Sequence, residues 1–276
     1  MSTAAAGAAL PSGGWDCHAH VFGPYADFPL ADDRSYTPPE ALQADYLALL
    51  ARLGLAHGVL VHPSAYGDRH DLLLHTLAAL PQLRGVVVMP ASATPQLAGL
   101  HNRGVRAARY SHRSGAGNFA GSATLDDLVL MAPALADAGL HAELWTDCLA
   151  LPAIAPALRE LPVPVVIDHM GGFDVKAGVD DPGFQTLLSL LAAGKVWVKL
   201  CLYRNLLGQV GLDAGRPFHD LMIAANPDQL LWGSDWPHLR VVPAPDAAQL
   251  LQTFRDWTPA AVCERVLVHN PARLYG

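Results

Sequence analysis

The sequence predicts an α/β fold, and within that class a distorted (β/α)8 TIM barrel. Eight short runs rich in Val and Leu alternate with Ala- and Leu-rich segments that have helical spacing. The runs are continuously apolar, which is typical of strands buried on both faces of a parallel sheet. Eight strand–helix units fit a chain of 276 residues better as a closed barrel than as an open sheet. No glycine-rich nucleotide-binding turn follows any run, so the common dinucleotide and phosphate-loop sites have no support.

The eight predicted strands are bounded by turn residues or end at polar side chains. In chain order they are WDCHAH (15–20), GVLVHPS (58–64), RGVVVMP (84–90), GVRAARYS (104–111), GLHAELW (139–145), VPVVIDHMG (163–171), KVWVKLCLYR (195–204) and LLWGSDWPH (230–238). The clearest helices are predicted over residues 39–53, 122–138 and 182–193. Three side chains are predicted to cap helix starts, namely Thr37, Thr124 and Asp181. A terminal helix is predicted to begin at Asn270-Pro271.

We expect residues 15–276 to form a single domain, because no shift of composition and no internal repeat divides them. Residues 1–14, MSTAAAGAALPSGG, are small and uncharged, and a flexible leader is expected there. This segment has neither the basic start nor the apolar centre of a secretory signal.

Charge and composition exclude several classes of function. The net charge is −7, and the 18 cationic residues form no basic run, so binding to nucleic acid or to a membrane surface has no support. The longest stretch without a charged residue, 85–102, contains two prolines and is too polar to cross a bilayer. Four widely spaced cysteines indicate reduced thiols and a cytoplasmic protein. We therefore expect a small-molecule partner, and a homodimer is the commonest assembly for such a protein.

The first predicted strand carries a ligand-like pair of histidines. Asp16, His18 and His20 occupy alternate positions, so all three are expected to point the same way, and Cys17 the opposite way. A His-x-His pair near a strand end is typical of a metal or catalytic site, although buried histidines often only satisfy local hydrogen bonds.

Two further polar side chains follow other predicted strands at the same end. His169 follows VPVVID, and Asp235 follows LLWGS. The carboxyl ends of barrel strands converge on one face, where the active sites of this fold are built. Because isolated buried charges are costly, this convergence favours a catalytic site over a polar plug in the barrel mouth.

Taken together, these segments resemble a known family. DCHAHVFGP, HPSAYG, VIDHMGG, LLWGSDWPH and HNPARLYG look like the amidohydrolase-related branch of the amidohydrolase superfamily, and above all its 2-pyrone-4,6-dicarboxylate lactonases and related sugar-acid lactonases. The likeness spans about Trp15 to Gly276. It implies a distorted TIM barrel that hydrolyses a lactone or a similar carbonyl compound.

The resemblance also implies roles for individual residues. Asp235 matches the aspartate that acts as general base on the attacking water, and His18, His20 and His169 match histidines that surround the scissile carbonyl. Other matching positions line the substrate pocket in the lactonases: Tyr36, Ser64, Tyr66 and His238. For Tyr36, loop packing is the alternative.

The sequence departs from the metal-dependent members at two strand ends. Strand four ends in Arg109-Tyr110-Ser111, which offers no ligand to bridge two metal ions, and strand five ends without the His of mononuclear zinc members. We therefore expect catalysis without a cofactor. The competing expectation is one Zn²⁺, held by His18, His20, His169 and Asp235.

Arginines near the strand ends indicate an anionic substrate. Arg109, Arg113 and Arg204 lie at or just beyond predicted strands, and a guanidinium binds a carboxylate with two parallel hydrogen bonds. Surface ion pairing is the alternative for each of them. Arg106 has the opposite parity to Arg109 and is expected to point away from the site.

These observations predict a cytoplasmic hydrolase that opens a lactone ring by Asp-activated water. Its substrate is expected to be a pyrone dicarboxylate, a muconolactone or a sugar-acid lactone, met in the breakdown of aromatic compounds or sugar acids. Two alternatives stay open, namely a zinc-dependent decarboxylase or amide hydrolase of the same superfamily, and a non-catalytic barrel that binds small acids.

Overall fold

The computed structural model describes residues 12–97, 99–114, 122–206 and 211–276. Its eight strands are parallel and follow one another in a single sheet in sequence order, and they form a nearly closed barrel, which confirms the predicted fold class. The first eleven residues of the predicted leader lie outside the described ranges. The strands are β1 (Trp15–Ala19), β2 (His57–Val61), β3 (Leu83–Val88), β4 (Val105–His112), β5 (His141–Thr146), β6 (Val165–Ile167), β7 (Trp197–Leu200) and β8 (Leu230–Trp232).

The segment that follows β8 closes the barrel against β1. The Asp235 amide donates to the His18 carbonyl at 2.8 Å, and the His20 amide donates to the Trp236 carbonyl at 2.8 Å. Ala19 and Trp236 form a parallel bridge between these two hydrogen bonds. The same backbone contacts that close the barrel therefore place Asp235 beside the two histidines of β1.

Helices cover the outside of the barrel. They are α1 (Gln43–Leu53), α2 (Asp71–Ala79), α3 (Leu125–Asp137), α4 (Leu151–Glu160), α5 (Pro182–Ala192), α6 (Arg216–Ala225), α7 (Ala247–Trp257), α8 (Ala260–Glu264) and α9 (Asn270–Tyr275). Between β3 and β4 the described residues form only short 3-10 turns, so the regular strand–helix repeat that the sequence predicts is broken there. None of the helices in the described ranges has the length and apolar character needed to span a membrane.

Two of the three predicted caps are confirmed. The Thr124 side chain accepts from the Asp127 amide at the start of α3, and the Asp181 side chain accepts from the Phe184 amide at the start of α5. The cap at Thr37 is wrong, because α1 begins only at Gln43. Paired hydrogen bonds between the backbones of Phe22 and Ala41 bridge the chain just ahead of α1.

The barrel has a packed interior. Its apolar cluster takes residues from β1, β2, β3, β4, β6, β7, β8 and the terminal helix: Trp15, Cys17, Val59, Val61, Val86, Ala107, Val166, Trp197, Leu231 and Tyr275. The predicted terminal helix is present as α9, which continues a π-helical turn at Arg265–His269. It brings the Tyr275 side chain into the barrel interior, beneath the polar residues of the mouth.

Candidate active site

A register shift in β1 decides which of its side chains reach the site. The pairing of β1 with β2 shifts between Asp16 and Ala19, so Cys17 and His18 both face the barrel interior. The expectation that Asp16 points with the histidines is wrong. Its carboxylate instead accepts from the Ser234 amide at 2.8 Å and from the Ser234 hydroxyl at 2.6 Å, on the outer side of the sheet. The expected outward orientation of Cys17 is also wrong, because a strand irregularity reverses the alternation that predicts it.

The structure brings together the four residues predicted to be catalytic. Oδ1 of Asp235 lies 3.7 Å from His18 Nε2 and 3.4 Å from His20 Nε2, and Oδ2 lies 3.6 Å from His169 Nε2. All four residues are buried. His18 lies fully beneath the cavity floor, so it contacts the Asp235 carboxylate and is not among the residues that line the cavity.

Unusual backbone conformations aim these side chains. Asp235, His169 and His238 have φ values of 58°, 48° and 62°, in the left-handed region that residues other than glycine rarely adopt. Such conformations persist only where the surrounding structure enforces them, and they cluster at functional sites. For His169 the turn directly after Asp168 lets two consecutive side chains face the site.

The two oxygens of Asp235 have different environments. Oδ2 accepts a hydrogen bond from the Tyr203 hydroxyl at 2.7 Å and another from the Arg204 guanidinium. Oδ1 is buried without a hydrogen-bond partner and faces His18 and His20. Burial alone would raise the pKa of Asp235, but Arg204 and His169 hold that pKa well below its usual range. The carboxylate is therefore ionised at neutral pH, with one oxygen anchored and one available.

Two of the surrounding histidines, His18 and His169, are set up as neutral groups. Burial lowers the pKa of His169, and burial together with the Lys199 charge lowers the pKa of His18 well below its ordinary value. The Nδ1 atom of His20 lies 2.7 Å from the Val61 carbonyl, which only accepts, so Nδ1 carries the proton. The Nε2 atom of His20 faces Asp235.

Beneath the histidines lies a layer of three charged residues that were not predicted from the sequence. Lys199 of β7 lies 2.6 Å from Glu143 of β5 and 3.4 Å from Asp168, which follows β6. Asp168 also accepts from Arg109 Nε at 2.8 Å, and Glu143 accepts from the Tyr275 hydroxyl at 2.7 Å. Two of them stand within the predicted strands HAELW and KVWVKL, where a charged side chain in an apolar run is the signal that could have found them.

A small cavity of about 70 Å³ opens above Asp235. Predicted binding residues that line it are Tyr36, Ser64, Arg109 and Arg204. The other lining residues are His20, Pro63, Trp145, His169, Asp235, Leu239 and Arg240. Among these, Arg240 was not predicted. Its guanidinium lies 4.6 Å from the centre of the Tyr36 ring, so it adds a cation to the mouth of the cavity.

Three predicted binding residues do not line this cavity. The Tyr66 hydroxyl accepts from the Gly23 amide at 2.8 Å, which ties down the loop after β1. Arg113 lies over the Trp145 ring at 4.5 Å, and His238 Nε2 donates to the Ser234 carbonyl at 3.1 Å. Of these three, Arg113 contacts a residue that lines the cavity, Trp145. Arg106, as expected, is away from the site and binds the Tyr275 carbonyl at 3.1 Å.

Some of the buried donors fit a metal ion by type and spacing. Ligand atoms of His18, His169 and Asp235 all lie within 4.8 Å of one another, and two histidines with a carboxylate suit Zn²⁺. A second group, His18, Glu143 and Asp168, has the same spacing. In that group the Lys199 ammonium already lies within 3.4 Å of a donor atom of each member.

Known proteins are similar to this chain over the whole length of the barrel. The sequence profile of the Amidohydro_2 amidohydrolase family matches residues 15–276. A 4-sulfomuconolactone hydrolase of Rhizobium radiobacter is 35% identical, over 97% of this chain and 91% of that protein. A 2-pyrone-4,6-dicarboxylate hydrolase of Comamonas testosteroni is 33% identical, over 96% of this chain and 91% of that protein. The crystal structure of a probable 2-pyrone-4,6-dicarboxylic acid hydrolase of Acinetobacter baumannii, with citric acid bound, has a TM-score of 0.83 at 26% identity, and the match covers 95% of this chain and 99% of that one.

Proposed function

Because the chain belongs to the amidohydrolase family, we propose that it is an enzyme that hydrolyses the lactone ring of a small carboxylated substrate. One observation carries the proposal. An ionised, buried Asp235 presents an unpartnered oxygen among three histidines, at the floor of a cavity lined by arginines. The two named relatives, which act on a sulfomuconolactone and on a pyrone dicarboxylate according to their names, support the same reaction.

The geometry supports activation of water by Asp235. This carboxylate lines the cavity with His20 and His169, so a water molecule held there can donate a hydrogen bond to it. The oxygen lone pair of the water then points away from Asp235, toward a carbonyl carbon held in the cavity. Asp235 takes the proton as the water oxygen bonds to that carbon, and hydrolysis is general-base catalysed.

The remaining steps use groups around the cavity. His169 and the arginine N–H groups line the space where negative charge develops on the carbonyl oxygen. Hydrogen-bond donors placed there lower the activation barrier of the hydrolysis. The bond from the carbonyl carbon to the ring oxygen then breaks. The proton held by Asp235 passes to that ring oxygen, so that lactone plus water gives an open hydroxy acid.

Three guanidinium groups, those of Arg109, Arg204 and Arg240, line the cavity. Arg109 is anchored by Asp168 and Arg204 by Asp235, so both present their remaining N–H groups from fixed positions. Fixed guanidinium groups recognise carboxylates with two hydrogen bonds and lose little conformational freedom on binding. The substrate class that fits is a lactone with one or two carboxylates, as in pyrone dicarboxylates, muconolactones and sugar-acid lactones.

We further propose that this hydrolysis proceeds without a metal. Bound at His18, His169 and Asp235, a zinc ion would supply Lewis acidity to the carbonyl. The buried charges, however, already balance within the protein, because Arg204 pairs with Asp235 while Arg109 and Lys199 pair with Asp168 and Glu143. A dication would add uncompensated charge to this arrangement.

The test is a pH-indicator assay of lactone hydrolysis with carboxylated pyrones, muconolactones and aldonolactones. The protein is assayed as purified and after exhaustive chelation, with metal analysis of both samples. Turnover that survives chelation supports the proposal. Activity that disappears with stoichiometric zinc overturns the metal-free part, and absence of turnover with every lactone overturns the assignment in favour of a decarboxylase or a binding protein.

The domain organisation, location, assembly and partner of the protein are proposed from its sequence. We propose one domain over residues 15–276 preceded by a leader, a cytoplasmic location, a homodimer and a small anionic partner rather than nucleic acid. All four cysteines are free in the structure, which supports a reducing compartment. Light scattering of the purified protein tests the dimer.

A further inference from the structure

Lys199 reaches a nitrogen of His18 that catalytic histidines usually offer to an acceptor. Its Nζ lies 2.6 Å from Glu143 Oε2, 3.4 Å from Asp168 Oδ1 and 3.3 Å from His18 Nδ1. Lys199 is completely buried, and two carboxylates beside it stabilise the ammonium form. An ammonium has three N–H donors and no acceptor, so the hydrogen bond to His18 requires a lone pair on Nδ1.

Asp168 competes for the same nitrogen. Its Oδ1 lies 3.4 Å from His18 Nδ1 and would accept a proton there. That tautomer would give up the hydrogen bond between Lys199 and His18 Nδ1, because an ammonium cannot accept. The charge of the carboxylate is balanced without His18, because the Lys199 ammonium lies 3.4 Å from its Oδ1 and Arg109 donates to its Oδ2. The arrangement therefore favours an unprotonated Nδ1.

We propose that Lys199 is a positioning residue that holds neutral His18 with its proton on Nε2. In this tautomer the Nε2 hydrogen of His18 faces Asp235 Oδ1 at a separation of 3.7 Å, longer than a hydrogen bond, and its partial positive charge orients the oxygen that takes the proton from water. The assignment of the tautomer stands on the buried network alone. Its catalytic consequence rests on the proposed lactone hydrolysis.

The same tautomer opposes metal binding. A histidine that binds a metal through Nε2 needs a lone pair there, and its Nδ1–H is then usually held by a carboxylate or a carbonyl. At His18 a donor takes the place of that acceptor, so Nε2 keeps its hydrogen. Lys199 thus acts on Asp235 through His18 and also weakens the His18, His169 and Asp235 group as a zinc site.

The direct test is nitrogen NMR of the whole protein with ¹⁵N-labelled histidines. The His18→Asn variant identifies the His18 signals by their absence. The expected spectrum of the unaltered protein shows a protonated Nε2 and an unprotonated Nδ1 at His18. A protonated Nδ1 would overturn the proposal, and this result does not depend on any variant that alters Lys199.

Two variants test the consequence. Lys199→Met removes the ammonium, and the double variant Lys199→Met with Glu143→Gln removes an opposite pair of charges, which keeps the buried charges balanced. Lys195→Met, an exposed lysine just before β7, is the matched control. In the double variant we expect the proton to move to Nδ1 and zinc affinity, measured by titration calorimetry, to rise about tenfold or more.

The kinetic readout separates this proposal from the proposed function. With a lactone that the unaltered protein hydrolyses, the double variant should lose kcat while KM changes little, and Lys195→Met should match the unaltered protein. An unchanged tautomer and unchanged zinc affinity in the double variant would show that Lys199 fills space only. If the unaltered protein hydrolyses no lactone, the proposed function fails, while the NMR spectrum still decides the tautomer.

Discussion

Asp235 combines an anchored oxygen and an available one in a single side chain. Tyr203 and Arg204 bind Oδ2, so the carboxylate cannot rotate, and Oδ1 is left facing His18 and His20. The anchoring has a chemical cost, because the cation that fixes the group also lowers its proton affinity. A substrate carboxylate that draws Arg204 toward itself would raise that proton affinity at the moment when water attacks the carbonyl carbon.

Removing the proton acceptor should abolish turnover and spare binding. Asp235→Asn keeps the shape of the side chain but cannot accept a proton at neutral pH, so we expect kcat to fall at least about a hundredfold. Binding of an anionic product, measured by calorimetry, should be largely kept because the arginines remain. A variant that still turns over lactone at a comparable rate would refute the role of Asp235 as the base.

Arg204 should govern both anion recognition and the acid limb of the pH profile. Arg204→Met should raise KM for a carboxylated lactone roughly tenfold to a hundredfold and for a neutral lactone much less. Because the guanidinium lowers the pKa of Asp235, its removal raises that pKa, and the acid limb of kcat/KM should move to higher pH. Equal KM effects on both substrates, or a fixed acid limb, would contradict this account.

At the level of elements, the junction of β1 with the end of β8 builds the site. Asp16 on the outer face accepts from the backbone and the side chain of Ser234, and on the inner face Gly233 packs directly against His18. The register shift in β1 makes both contacts available from neighbouring residues. Irregular strand pairing of this kind re-aims side chains next to active sites.

Gly233 should tolerate no side chain. A Cβ at this position would lie 2.8 Å from the His18 Cβ and 3.0 Å from the Cys201 Sγ, so His18 or the strand must move. Gly233→Ala should lower the free energy of unfolding by about 1–3 kcal/mol and reduce kcat, as overpacking does in tight interiors. Gly211→Ala is the matched control, because a Cβ there meets no atom of the described residues within 4 Å. If Gly233→Ala had the same free energy of unfolding and the same kcat as the unaltered protein, the junction would accommodate a Cβ without cost, and the prediction would be wrong.

At the scale of the whole molecule, burial of neutral histidines links stability to pH. Burial lowers the pKa of many described histidines, among them His62 and His141, each to about 3. In the unfolded chain the same side chains titrate near 6.5. The unfolded state therefore binds more protons below pH 6.5, and the folded state loses stability as the pH falls. Two carboxylates oppose this trend, because burial raises the pKa of Asp16 to about 6 and also raises the pKa of Glu143.

The stability curve should therefore fall on the acid side of neutrality. One pH unit below 6.5, His62 and His141 together should cost about 3 kcal/mol. Urea unfolding at pH 7.5 and pH 5.5 measures this change, with a lower midpoint expected at pH 5.5. His62→Gln should flatten the dependence, whereas His269→Gln, on an exposed side chain, should not. Equal midpoints at both pH values for the unaltered protein would contradict this expectation.

Local sequence patterns were enough to find the barrel. All eight predicted strands are present near their predicted positions, because continuous apolar runs bounded by turns reflect burial on both faces, which depends only on neighbouring residues. The convergence of His18, His20, His169 and Asp235 also followed from the sequence, since parallel strands in a barrel share one carboxyl face. The roles of these residues, and of Tyr36 and Ser64, stay predictions that rest on resemblance.

What the tertiary structure alone decided is the direction and pairing of side chains. The register shift that turns Asp16 outward and Cys17 inward depends on hydrogen bonds with distant strands, and strict alternation within one strand carries no sign of it. The pairing of Lys199 with Glu143 joins β7 to β5, far apart in sequence. Periodicity thus determined which segments are buried, whereas contacts between distant segments determined which charges meet there, because an ion pair depends on distances in space that no local pattern records.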